Sequence, residues 1–286
     1  MPPDDLSRRA FLAASGGLVV AAMTFPELAI AHEDEPKGPW GTLVLSSDLY
    51  ASPTPQRFVF AMAKGRRRSS NGRTRVGFVP PSAQSRQATI ELVPAHLYRT
   101  GLPKGRGVFV VDTVFDEPGV WQAVARTHGE NVPFALDVKP AAEAPVVGAA
   151  APRAASPTKA DRLSVKPICT RHPPCPLHTV SLAEVVGAGT PVAVLFATPA
   201  RCQSEYCGPV LDELLDVRER YDGVTFAHVE IYLNNETTSL APTVEAWGLP
   251  SEPWLYTIDA AGTIVGRIDG AFGRQEIVSQ LDPLVG

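Results

Sequence analysis

The residues best suited to chemistry are two cysteines in the segment Cys202-Gln-Ser-Glu-Tyr-Cys207-Gly208-Pro209. The reactive form of cysteine is the thiolate. A cysteine just ahead of a helix meets unpaired backbone N–H groups and the positive end of the helix dipole, and both favour that form. Val210 to Tyr221 has helical spacing, with Val210, Leu211, Leu214, Leu215 and Val217 on one stripe, and Pro209 suits the first turn. Cys207 is therefore expected to be the nucleophile and Cys202 its partner. Two residues five apart in one regular helix have Cα atoms roughly 8–9 Å apart, beyond disulfide reach. A Cys202–Cys207 disulfide thus requires Cys202 to lie in the loop before the helix. Such a bond can serve exchange chemistry or can simply tie down a loop, and the spacing leaves both open.

A second constellation reads Cys169-Thr-Arg-His172-Pro-Pro-Cys175-Pro-Leu-His178. In an oxidising compartment four cysteines are expected to pair, and proximity favours a local Cys169–Cys175 disulfide. Metal ligation by Cys169, His172, Cys175 and His178 is the alternative, since thiolate and imidazole suit soft and borderline ions. Cross-pairing with Cys202 or Cys207 is a third possibility. Further on, His228, Glu230 and Tyr232 fall on one face of a strand by two-residue alternation. They form either a satisfied buried network or, in the case of His228 and Glu230, neighbours that tune the thiols.

The compartment follows from the first residues. Ser7-Arg8-Arg9-Ala10-Phe11-Leu12 precedes an Ala-, Gly- and Val-rich stretch and then Ala29-Ile30-Ala31. Paired arginines, a mildly apolar core and a small-x-small cleavage site describe a bacterial twin-arginine signal peptide over residues 1–31. Pro26 and Glu27 interrupt the apolar run too early for a spanning helix. The mature chain is expected to begin near His32, not membrane-spanning, in the periplasm or another extracytoplasmic space. Its expected partners are exported proteins, as thiol substrates or as binding partners. A formal charge of −4 over 286 residues, with one basic cluster from Lys64 to Arg73, supplies no bulk positive field for nucleic acid.

These sites need elements to hold them. Residues 32–140 carry seven short β-branched and aromatic runs: Thr42–Ser46, Arg57–Met62, Arg75–Val79, Ala88–Val93, Gly107–Asp112, Val120–Arg126 and Pro133–Val138. They suggest an all-β, immunoglobulin-like sandwich. Residues 141–167 are rich in Ala, Pro, Gly and Ser and read as a linker. From 168 to 286 strands and helices alternate. A buried strand over Val192–Ala197 leads into the cysteine-bearing helix, followed by a strand over Val224–Tyr232, a short helix near Trp247, a hairpin from Trp254 to Asp269 and a last helix from Arg274 to Leu281.

Tyr206-Cys207-Gly208-Pro209-Val210 resembles the Trp-Cys-Gly-Pro-Cys motif of the thioredoxin-like superfamily, with valine in place of the second cysteine. Leu249-Pro250-Ser251-Glu252-Pro253-Trp254 resembles the segment that holds the family's cis-proline, and Asp259-Ala-Ala-Gly262 its following hairpin turn. The resemblance covers about the last 110–120 residues. It implies an α/β thioredoxin-like domain in which Pro253 presents substrate backbone beside Cys207, no cofactor, and thiol–disulfide oxidoreductase activity. Copper-binding accessory proteins of the Sco type share that fold but use Cys-x3-Cys, so copper held by Cys202 and Cys207 is an alternative. A non-catalytic binding or scaffold protein with structural disulfides is another.

If the signal is as read, replacing Arg8 and Arg9 together with lysine should abolish export, because the receptor reads the arginine pair. Cell fractionation with N-terminal sequencing of the exported chain checks both the route and the start near His32.

Overall fold

The computed structural model describes residues 39–65, 67–68, 72–84, 90–99, 101–102, 106–202 and 205–285. The twin-arginine segment and His32 lie outside the described residues, as do Arg66, Ser69, Ser70 and Asn71 of the basic cluster and the first two residues of the run expected from Ala88. The described residues divide into two compact units, one over 39–98 and 106–141 and the other over 99, 101–102 and 142–285.

The first unit is a single antiparallel sheet. Its strands are β1 (Trp40–Val44), β2 (Ser52–Lys64), β3 (Arg67–Arg68), β4 (Thr74–Val79), β5 (Val93–Tyr98), β6 (Val108–Phe115), β7 (Gly119–Thr127) and β8 (Glu130–Val138). They run in the order β1-β2-β6-β5-β4-β7-β8, with the short β3 on β2. Alternation along β7 sends Trp121, Ala123 and Ala125 inward and Gln122 outward, as the two-residue period of a strand dictates. His128 and Gly129, at φ 49° and 82°, form the two-residue turn into β8, where positive φ at both positions matches the twist of the flanking strands. The sheet rolls until β1 nears β8. A bridge between Tyr50 and Lys139 and the bonds Ala51 N–H to Lys139 O (2.8 Å) and Lys139 N–H to Leu49 O (2.9 Å) hold that seam.

The interior is aromatic. Phe58 packs against Phe60, Phe78, Phe115 and Phe134 with ring centroids 5.2–6.3 Å apart, in the range where ring pairs add about 0.5–1.5 kcal/mol beyond area burial.

The expected fold class, an α/β thioredoxin-like domain behind an immunoglobulin-like sandwich, is corrected. Among the described residues, which are mostly β with 37% strand against 17% helix, the dominant element is this nearly closed antiparallel sheet, and no α/β thioredoxin fold is evident. A sandwich needs two sheets, whereas β5 pairs with β4 on one edge and with β6 on the other, joining everything into one. Alternation and turn signals are the same in both architectures, and they do not record which edges pair.

The second unit holds a four-stranded mixed sheet. Its elements are α1 (Leu182–Val185), β9 (Val192–Phe196), α2 (Cys207–Val217), β10 (Thr225–Val229), α3 (Pro242–Trp247), β11 (Trp254–Ile258), β12 (Ile264–Asp269) and α4 (Arg274–Leu281). The order is β10-β9-β11-β12, with β9 parallel to β10 and antiparallel to β11. The central strands β9 and β11 are buried along their whole length. The helices are short, and coil does much of the covering. Ala144, Ala151 and Val165 are buried in the core beneath this sheet, Ala151 N–H bonds Gly262 O at 2.9 Å, and Lys166 bridges Asn234. The stretch 141–167, expected as a linker, is instead packed coil belonging to this unit from residue 142 on. Its small residues lie close against the sheet, and composition alone does not separate that from an unstructured tether.

Among the described residues no helix is long and apolar enough to cross a membrane.

Truncating Phe58 to alanine removes a fully buried ring from the centre of the first unit and should cost about 3–5 kcal/mol. A matching fall in the urea midpoint, followed by tryptophan fluorescence of the full chain, is the expected result.

Candidate functional site

Strand β9 delivers the chain into the site. Past Phe196 come Ala197 and Thr198, both buried, and then a loop to α2. Cys202 lies in that loop and Cys207 is the first residue of the helix, with Cα atoms 5.8 Å apart and the sulfurs at bonding distance. The separation fits an ordinary disulfide, and a left-handed residue, Glu205 at φ 64°, shortens the path between them.

The two sulfurs differ. Cys207 is fully buried and Cys202 is partly exposed. The N–H of Cys207, one of the unpaired donors at the helix start, points at Cys202 Sγ at 3.3 Å. The helix end therefore favours a thiolate on Cys202. The sequence points to Cys207 as the nucleophile, whereas in the structure Cys207 is buried and the helix-start N–H serves Cys202.

Glu252 is the third member of the site. Its Oε2 lies 3.3 Å from Cys207 Sγ, and the Glu252–Pro253 bond that leads into β11 is cis. Burial pushes the Glu252 carboxyl up to about 8, with Glu230 reinforcing the shift. Thr198, donating through its backbone and its hydroxyl, and the Arg201 charge oppose it without reversing it. A disulfide sulfur has no hydrogen to give, so the contact with Cys207 is a hydrogen bond when the carboxyl carries the proton. Arg201 stacks on the Tyr232 ring at 4.7 Å and donates to the carbonyls of Asn234 (2.6 Å) and Thr237 (2.7 Å). Burial, followed by the Glu252 charge, raises the Tyr232 phenol.

The other two cysteines are not bonded to each other, which corrects the expected Cys169–Cys175 disulfide. They converge instead with two histidines. Cys175 Sγ lies 3.3 Å from His178 Nε2 and 3.4 Å from His228 Nδ1. Cys169 Sγ is 3.9 Å from His228 Nδ1, the two ring nitrogens are 3.3 Å apart, and all four residues are buried. His172, part of the set nominated by spacing, is exposed. His228 takes its place, presented from β10, where its backbone N–H bonds Leu177 O at 2.9 Å and draws the 167–178 loop alongside. His228 is thus a member of this cluster and not of the Cys202–Cys207 site. Glu230 accepts the Thr170 N–H at 2.5 Å, and burial raises its pKa; it reaches the thiol site only through the field it exerts on Glu252.

Glu252 and Thr198 carry no role in the sequence reading. The available signal was an acid set in the otherwise apolar Leu249-Pro-Ser-Glu-Pro-Trp254, next to the proline singled out there.

Comparison of the chain with protein-family models and with curated proteins finds no match.

The raised Glu252 pKa makes a pH prediction. Unfolded, the carboxyl loses its proton near 4.5, and folded it holds it to about 8, so between those values the folded state binds the extra proton and stability falls as pH rises. Above about 8 the slope from this group vanishes. Glu252→Gln should remove that fall, and the difference in urea midpoint between variant and wild type should grow in the variant's favour across this window.

Proposed function

We propose that the chain is an exported thiol–disulfide oxidoreductase that exchanges its Cys202–Cys207 bond with thiols of other exported proteins. The observation that carries the reading is the unequal pair, a reachable sulfur on Cys202 bonded to a buried one on Cys207 that has a proton-bearing carboxyl beside it. Export rests on the Ser7-Arg8-Arg9 motif and the small-residue cleavage site ahead of His32.

In the oxidising direction an incoming thiolate attacks Cys202 Sγ, the S–S bond breaks, and its electron pair leaves on Cys207. A buried thiolate is costly, and Glu252 supplies the proton that makes Cys207 a thiol. A mixed disulfide then joins the substrate to Cys202. A second thiolate of the substrate attacks the substrate's own sulfur in that mixed disulfide, forms the product disulfide, and releases Cys202 as a thiolate held by the Cys207 N–H. The reverse sequence starts with Cys202 attacking a substrate disulfide. Glu252 then takes the proton from Cys207, whose thiolate attacks Cys202 and expels the substrate thiol. General acid–base catalysis of this kind contributes about 10²–10⁴-fold.

Copper held by Cys202 and Cys207 is the weaker reading, because both sulfurs are at bonding distance from one another. A scaffold with a static bond is separated by experiment. The disulfide should equilibrate with glutathione at a potential well above the roughly −300 mV bound of structural bridges, and Glu252→Gln should slow exchange by about 10²-fold. Cys207→Ser should accumulate mixed disulfides on Cys202, while Cys202→Ser should form none. A folded protein whose bond ignores glutathione would overturn the reading in favour of the scaffold.

A further inference from the structure

We propose that Cys169, Cys175, His178 and His228 form a closed tetrahedral site for a zinc-class divalent cation. The ligand atoms, two sulfurs and two ring nitrogens, all lie within 4.8 Å of one another. A tetrahedral zinc ion with Zn–S of about 2.3 Å and Zn–N of about 2.05 Å sets edges of about 3.35 Å between nitrogens and about 3.55 Å between sulfur and nitrogen. The observed nitrogen–nitrogen edge is 3.3 Å, three of the four sulfur–nitrogen edges are 3.3, 3.4 and 3.9 Å, and the fourth is within 4.8 Å. Four groups from a loop and a strand therefore already stand near the corners of one coordination sphere.

The surroundings orient the ligands. His228 Nε2 lies 3.0 Å from the Ala197 carbonyl, which can only accept, so Nε2 carries the ring hydrogen and Nδ1 turns a lone pair toward the sulfurs. Such an outer bond fixes the ring of a metal-binding histidine. His178 Nδ1 is buried with no hydrogen-bond partner among the described residues, and its Nε2 faces His228 Nδ1. Two neutral imidazole nitrogens at that separation repel unless a cation or a proton lies between them. The Cys175 N–H donates to Cys169 Sγ at 3.3 Å, as backbone amides do toward thiolates. All four ligands come from protein and all are buried, so no position stays open for substrate. The site is structural by that criterion, and it clamps the 167–178 loop to β10.

This inference stands apart from the exchange reaction, since none of its ligands belongs to the Cys202–Cys207 pair. Full-length mature protein, prepared without chelator and dialysed against zinc, should hold about one zinc per chain by elemental analysis. Replacement by cobalt should give the thiolate-to-metal charge-transfer band and the intense visible bands of a four-coordinate Cys2His2 site. His228→Ala and Cys175→Ser should each lose the stoichiometric metal and the cobalt spectrum, and His172→Ala should keep both. Wild type that takes up neither metal while folded would overturn the proposal, whatever the variants do. So would a mass showing Cys169 and Cys175 joined in protein isolated under reducing conditions, or metal retained by His228→Ala and lost by His172→Ala.

Discussion

Two backbone positions at the end of β9 hold the chemistry of this protein in place. The carbonyl of Ala197 fixes the ring of His228, and Thr198 bonds the Glu252 carboxyl while its hydroxyl accepts the Ile231 N–H at 3.0 Å. Both residues are buried, so neither can trade these partners for water, and a lost bond there would leave a polar group unsatisfied in the interior. One end of one strand thus sets the geometry of the thiol pair on one side and of the Cys/His cluster on the other. The buried run of β9 gives that end its rigidity.

The electrostatics follow from the same crowding. Glu230 is buried and Glu252 half-buried, and the Glu230 charge adds to the upward shift of the Glu252 carboxyl. Arg201, drawn toward Tyr232 and the carbonyls near Asn234, compensates only in part. A carboxyl that keeps its proton near neutrality beside a sulfur is the result, and it arises from burial more than from any single charge.

The thiol pair was legible in the sequence because its position ahead of a helix depends on local signals: an apolar run, Gly208-Pro209 and a helical stripe. The requirement that Cys202 lie in the loop follows from helix geometry alone, and the structure places it there. What was not legible depends on pairings distant along the chain. The closure of the first sheet is set by β5 pairing on both edges, and the packing of residues 142–167 by contacts with strands a hundred residues later, as between Arg267 and Ala144. Likewise His172 lies between the two cysteines in sequence but points to solvent, while His228 reaches them from another strand. The unequal burial of Cys202 and Cys207 is likewise something that spacing does not encode.

The separation of His228 from its three companions also bears on how the chain is made. Cys169, Cys175 and His178 leave the ribosome together, and His228 follows 50 residues behind His178, a delay of about 3–10 s at roughly 5–20 residues per second. Cys202 and Cys207 emerge inside that interval. From the emergence of Cys207 until that of His228 the nascent chain carries four sulfurs and no β10 for the 167–178 loop to dock against, so an oxidant met then could join Cys169 or Cys175 to other partners. Native connectivity in this protein is a matter of timing as much as of geometry, and it requires that oxidation wait until β10 is built.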